Sequence, residues 1–311
     1  MLNGHAAPRR LPMTHEFLLK HVLTTIFRHG GERSKRFTWC WEAAYDHLGN
    51  GAMPVKTAHG RLWLNLRDQV MAKRILKWGV WERLETALFK AAVEPDSIVV
   101  DVGANVGYYT IIAADLARRG GRVFAFEPSP NHLSLLERSC SENGFDNVTT
   151  FRAALSDKTE DGTLYLSEGN LGDHRLFPAE EERAAIQVSC VPLDRVIDVV
   201  GVLKIDVQGA EGKVLRGAAK VIENSSPLTL FMEFWPEGLE RAGEDPEEIA
   251  QFLGELGFDR IWIINEDARR AQRVFPKDIV ACCRGYDGRS LLATCGPMAK
   301  PLKQALAEVS N

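Results

Sequence analysis

An α/β fold built on a mainly parallel sheet is predicted by three features of this 311-residue chain. From Ile98 onward, short β-branched runs alternate with helical segments, the pattern of parallel strands returned by helices. A turn carrying two glycines, "DVGANVG" (101–107), follows the first of those strands, at the end where open sheets bind ligands. The last two predicted strands are joined by a polar loop too short for a crossover, so they pair antiparallel.

The elements follow in order. Residues 1–14 read as an unstructured lead. From Glu16, "EFLLKHVLTTIFRHG" sets Phe17, Leu18, Leu19, Val22, Leu23, Ile26 and Phe27 on one broad helical face. That face either packs on the main domain or makes peripheral contact with a membrane surface, helped by Trp39, Trp41 and the basic patch Arg28 to Arg36. "MPVKTAHGRLWLNLRD" reads as a hairpin around His59 and Gly60, and "WERLETALFKAAV" as a helix stopping at Pro95. Seven strands are predicted at 98–102, 122–127, 148–154, 202–207, 228–234, 258–264 and 278–283. Helices are expected at about 107–118, 130–142, 209–222 and 245–256. The stretch between strands three and four is too long for a bare connection. It holds "GTLYLS" (162–167) and "IQVSCV" (186–191), an inserted hairpin whose loop can reach a ligand. The chain thus divides into an N-terminal helical extension (1–60), a ligand-binding domain (61–295) and a C-terminal tail (296–311).

Composition narrows the partners. A net charge of −4 and the lack of a long basic run give no reason to expect nucleic acid. The six cysteines, at 40, 140, 190, 282, 283 and 295, contain no CxxC pair, so neither a zinc site nor a disulfide framework is expected. Reduced thiols point to a cytoplasmic protein. No apolar run approaches the roughly 20 residues a membrane span needs.

The turn after strand one discriminates between ligands. In a dinucleotide fold the pyrophosphate rests on this turn and on the helix start behind it. Asp101, just ahead of the turn, repels such a phosphate, and the D-x-G-x-N-x-G spacing is not G-x-G-x-x-G. A nicotinamide-dependent oxidoreductase is therefore the disfavoured alternative. S-adenosylmethionine has no phosphate and carries a sulfonium and an ammonium. Asp101 can offset that charge directly or through water, Gly103 and Gly107 let backbone approach the ligand, and Asn105 can donate to its carboxylate or hold the turn. Glu127, ending strand two, can accept from both ribose hydroxyls. Ser129 is placed to cap the next helix, and Ala153 and Ala154 leave room for an adenine.

The chain resembles the FkbM family of S-adenosylmethionine-dependent methyltransferases over about residues 60–285. The resemblance rests on "GVWE" (79–82), "VVDVGANVGYYT" (99–110), "VFAFEPSP" (123–130), "AALSD" (153–157), "GDHR" (172–175), "LKIDVQGAE" (203–211) and "LFMEF" (230–234), in this order. It implies a class I methyltransferase (Rossmann-like) fold and O-methylation of a saccharide, glycoconjugate or natural-product hydroxyl. It also implies that Glu82 reaches the methionyl ammonium; otherwise Glu82 is a first-turn helix acid. Gln208 departs from the family, much of which has glutamate there, so a carboxylate at that position is not essential.

Methyl transfer to a hydroxyl needs an aligned nucleophile and a general base. Lys204 and Asp206, two apart on strand four, share a face. Asp206 is the main candidate for a base or acceptor-orienting group, with Lys204 setting its ionisation; the plain alternative is a structural ion pair. Glu233 is costly to bury without a partner and orients Lys204 or the acceptor. The loop "NLGDHR" offers Asn170, Asp173, His174 and Arg175: His174 is a rival base, and Arg175 can clamp an anionic group. Glu211 is either an acceptor contact or a helix-start acid. Asp206, Glu211 and Glu233 raise the thought of an oxygen-ligated Mg²⁺, but no diagnostic spacing supports it and no metal is expected. A domain that binds the cofactor without catalysing is the non-enzymatic alternative.

Overall fold

The computed structural model describes Tyr45 and residues 51–178, 181–286 and 288–310. The helix expected from Glu16, the basic patch, Trp39 and Trp41 lie outside the described residues. Strands β1 (Ala52–Thr57) and β2 (Gly60–Asn65) form the expected hairpin. Helices α1 (Met71–Trp78) and α2 (Arg83–Ala92) lead to β3 (Ile98–Val102). The alternation then proceeds through α3 (Tyr108–Leu116), β4 (Arg122–Phe126), α4 (Pro130–Asn143) and β5 (Val148–Phe151).

The insertion comes next, as β6 (Ala154–Leu155), β7 (Glu160–Tyr165) and β8 (Ala185–Val191). These make a separate three-stranded sheet in which β7 and β8 are the antiparallel hairpin expected. The main sheet resumes with β9 (Val202–Ile205), α5 (Glu211–Gly217), α6 (Ala219–Glu223) and β10 (Leu228–Phe234). Helices α7 (Pro236–Arg241) and α8 (Pro246–Glu255) precede β11 (Arg260–Asn265) and β12 (Arg270–Val274). Last come α9 (Ile279–Cys283), β13 (Arg289–Cys295) and α10 (Lys300–Val309).

The main sheet has eight strands in the order β12-β11-β13-β10-β9-β3-β4-β5. The five central and right-hand members, β10 to β5, are parallel, and β13 runs antiparallel to both β10 and β11. The α/β class and the antiparallel finish are as expected, but the seven-strand count and the last strand are corrected. "DIVACC" (278–283) is helical, with Ile279, Val280 and Cys283 buried at i, i+1 and i+4. A six-residue apolar run does not distinguish strand from helix by itself. The antiparallel strand is instead Arg289–Cys295, and the extra edge strand β12 is too polar to advertise itself.

Both faces of the sheet are covered, so its strands read as unbroken apolar runs. One face packs Val99, Ala125, Phe231 and Leu292 under α2, α3 and α10. The other packs Val100, Leu203, Leu230 and Met232 under α5 and α8. Within 296–311, helix α10 buries Leu302 and Leu306 in the first of these layers. Register sets Asp101 beside Lys204 on adjacent strands, and the pleat turns both toward the α2 and α3 side. That single parity decides which acids meet which cation below.

Candidate functional site

A crevice of about 530 Å³, counted to its mouth, opens at the carboxyl ends of β3, β4 and β9 and against the inserted sheet. Its floor is the turn after β3. Gly103 sits at φ +75°, and a Cβ there would lie 1.9 Å from the backbone oxygen of Asp206, so only glycine lets β3 and β9 close together. The N–H groups of Gly103 and Ala104 both donate to the Phe126 carbonyl, which ties the turn to β4. Asn105 follows at φ +52°, its Oδ1 accepting from the Val106 N–H at 2.8 Å.

One end of the crevice is governed by Glu127. Its Oε2 accepts from the Asn105 N–H and its Oε1 from the Ser129 N–H, both at 2.8 Å. Burial pushes this carboxyl up to about 7, against the pull of those two backbone donors. Each oxygen keeps a second lone pair for a ligand. Ala153, Ala154, Leu155, Leu164 and Leu176 form an apolar wall beside it. His132 and His174 stack at 4.7 Å along the same wall. Burial lowers His132 to about 3 and His174 to about 4, so both rings are neutral at pH 7.

The other end gathers charge. Asp206 lines the crevice and keeps 32% of its side chain exposed. Its Oδ2 lies 3.5 Å from Lys204 Nζ, and its Oδ1 accepts from Gln208 Nε2 at 2.9 Å. The same amide nitrogen donates to Glu233 Oε2 at 2.5 Å. Lys204 has a closer partner, Glu85 Oε1 at 3.0 Å, and both side chains are almost wholly buried. Burial alone would lower the Lys204 ammonium, but Glu85, Asp206 and Glu82 outweigh it and hold it above the usual range. Burial, then Asp206, holds the Glu233 carboxyl well above the usual range. Glu82 is raised likewise, by burial and then by Glu85.

Several expected residues have other work. Asp101 is 2% exposed, is absent from the crevice wall, and accepts the Thr110 hydroxyl at 2.6 Å. The pleat points it at α3 and away from the crevice lining, and burial raises it to about 6. Gly107 faces Leu136 of α4, where a Cβ would fall 2.8 Å from Cγ, and so serves helix packing and not the ligand. Ser129 holds the N-cap position of α4 but its side chain makes no capping bond; its N–H serves Glu127. Glu211 is fully buried and accepts from the N–H groups of Val207 and Gly209. It props the 207–209 turn and does not line the crevice.

The loop residues are similarly engaged. His174 Nδ1 accepts from the Ser167 N–H at 3.1 Å, which leaves the proton on Nε2 and no lone pair for a base. Asp173 bridges Arg175 Nε at 2.6 Å and an Arg183 guanidinium nitrogen at 2.8 Å. Arg175 lies over the Trp235 ring at 4.7 Å. Asn170 Oδ1 accepts from the Gly172 N–H. Glu82, at φ +40°, precedes α2 but makes no capping bond; it accepts from the Tyr109 hydroxyl at 3.0 Å. The α2 start is capped instead by Glu266, which accepts from the N–H groups of Leu84 and Glu85. Among the described residues, no three His, Cys, Asp or Glu side chains gather as a metal site.

Sequence reasoning missed Glu85, Tyr109 and His132. Glu85 and His132 lie on helices with an ordinary amphipathic pattern and Tyr109 on one buried nearly all round, and only the spacing of Glu82 to Glu85 along a first turn hinted that two acids approach β9. Gln208 was noticed as a departure, not as the amide joining two carboxylates.

The Methyltransferase FkbM domain model matches residues 101–260. A curated relative, Methyltransferase 1 of Beauveria bassiana, is 27% identical over 151 residues, 39% of this chain and 58% of that protein. The chain thus spans little more than half the length of that relative. Among solved structures, a precorrin-6y C5,15-methyltransferase from Geobacter metallireducens matches at TM-score 0.40 and 14% identity, covering 70% of this chain and 88% of that one. An S-adenosylmethionine-dependent O-methyltransferase from Thermotoga maritima matches at TM-score 0.41 and 14% identity, covering 79% and 78%. Half of the chain, including the glycine turn, Glu127, the loop, Lys204, Asp206 and Glu233, lies within the family model, and the protein belongs to the FkbM family of S-adenosylmethionine-dependent methyltransferases.

Proposed function

We propose that the protein moves a methyl group from S-adenosylmethionine to a hydroxyl of a small-molecule or glycan acceptor, with Asp206 as the base. The observation that carries this reading is the setting of Asp206. It is exposed on the crevice wall while Lys204 and Gln208 fix its two oxygens from behind. The residues fit the cofactor. Glu127 offers free lone pairs for two ribose hydroxyls, the Ala153–Leu155 wall suits an adenine, and the acids at the far end suit a sulfonium and an ammonium.

Bound there, the cofactor supplies an electrophilic methyl group. Asp206 orients the acceptor hydroxyl and takes its proton as the new C–O bond forms. Lys204 holds Asp206 in place from 3.5 Å, and Glu85 anchors Lys204. Glu82 and Glu233, whose carboxyls burial holds well above the usual range, give up their protons when a cation binds beside them. Arg175, flat on Trp235 and tied by Asp173, is placed to meet an anionic or polar group of the acceptor. No basic run supports a nucleic-acid acceptor. No helix among the described residues is long and apolar enough to cross a membrane.

The test is to incubate a cell lysate with the enzyme and methyl-labelled cofactor and to follow the label by mass spectrometry. Label on an oxygen of a saccharide or another hydroxylated small molecule supports the reading. Label on nitrogen, carbon or nucleic acid overturns it.

A further inference from the structure

Gln208 is held in an uncommon state. It is a non-glycine residue at φ +56°, the left-handed region, which persists only where the surroundings over-determine it. The neighbouring N–H groups, of Val207 and Gly209, are pinned by the buried Glu211 carboxylate. The side chain is fixed as firmly. Nε2 lies 2.9 Å from Asp206 Oδ1 and 2.5 Å from Glu233 Oε2. Both contacts are made by Nε2, whose NH₂ has one hydrogen for each oxygen. Glu233 is wedged from the far side, where a Cβ on Gly288 would lie 2.6 Å from its Oε1.

We propose that Gln208 is a positioning residue, a neutral clip that holds Asp206 and Glu233 apart on one amide and aims Asp206 at the crevice mouth. It supplies donors to both acids and adds no charge of its own. The groups facing this pair are Glu82 and Glu85 around the start of α2, Asp101 on β3, Tyr109 on α3, Lys204 on β9 and Glu211 on α5. With one ammonium among so many carboxyls, a lost donor or an added acid is compensated by a bound proton. A cationic ligand then expels that proton. The inference builds on the assignment of Asp206 above.

The experiment counts protons released on binding at pH 7, by calorimetry in buffers of different ionisation enthalpy. Two probes are compared: sinefungin, which carries an amine-bearing carbon in place of the methyl sulfonium, and S-adenosylhomocysteine, which has no cation there. Their difference cancels the ribose end. Gln208→Met should release more protons with sinefungin than the wild type does, and lose about ten-fold of the preference for sinefungin, as expected for a lost bond to a charged group. Gln208→Glu should release about one proton more, with little change for S-adenosylhomocysteine. If Gln208→Met matches the wild type in both readouts, the clip is refuted. Should that variant fail to fold, a Gln208→Glu proton count equal to that of the wild type refutes it equally. Label found on nitrogen or carbon would remove Asp206 as the hydroxyl base and leave these counts intact, so the two failures are distinguishable.

Discussion

The two ends of the crevice handle buried acid in opposite ways. At the Glu127 end, one carboxylate is met by backbone N–H groups of Asn105 and Ser129, and the neighbouring rings of His132 and His174 are neutral. At the Asp206 end, acids outnumber cations, and the partners are side chains: Lys204, Gln208 and Tyr109. Backbone donors are fixed by the fold and do not care what is bound. Side-chain donors can be removed one at a time, and each removal changes the charge balance. On the proposed function, the first end recognises a neutral hydroxylated ligand and the second holds a cation beside a base.

Four substitutions break or sharpen that contrast. Asp206→Asn removes the proton acceptor while keeping the shape. Methyl transfer should fall by about 10² to 10⁴-fold, the usual share of a general base, with S-adenosylhomocysteine affinity within a few-fold of the wild type. Lys204→Met leaves Glu85 buried and unpaired, so denaturant unfolding should show a loss of about 3–5 kcal/mol. A loss below about 1 kcal/mol would contradict a stabilising Lys204–Glu85 pair.

Glu127→Gln probes the quieter end. The empty site holds Glu127 raised to about 7, so below that pH the carboxyl carries a proton that ribose hydroxyls must displace. Wild-type affinity for S-adenosylhomocysteine should therefore tighten as pH rises toward about 7, by up to about ten-fold per unit, and level off above it. The variant should bind more weakly and show a flat profile over the same range. Smallest is His174→Ala. With Nδ1 already bonded to Ser167, the ring is no base, so methyl transfer should drop by less than about three-fold and stability by about 1 kcal/mol for the lost bond. A fall as large as that of Asp206→Asn would return the base role to His174.

The sequence made the Glu127 end more legible than the other. A strand ending in an acid, then Pro128 and a helix, fixes where Glu127 must stand, because local chain geometry alone decides it. Strands β3, β4, β9 and β10 were legible for the same reason: each is a largely buried apolar run followed by a turn signal. The last strand was not, since 278–283 and 289–295 are both short apolar runs and only tertiary packing chose between them. The acid cluster was half legible. Lys204 and Asp206 share a face by period two, but Glu85 arrives from a helix before β3, and no local rule announces that meeting. Asp101 shows the converse: its type was informative, yet the pleat handed it to Thr110.

The central claim is that a single crevice has a ribose end at Glu127 and a cation end at Asp206. A crystal structure with S-adenosylhomocysteine bound tests it most directly. The account predicts the ribose hydroxyls on Glu127, the adenine against Ala153 and Ala154, and the sulfur turned toward Asp206. A nucleoside bound in the reverse sense, or outside this crevice, would contradict it.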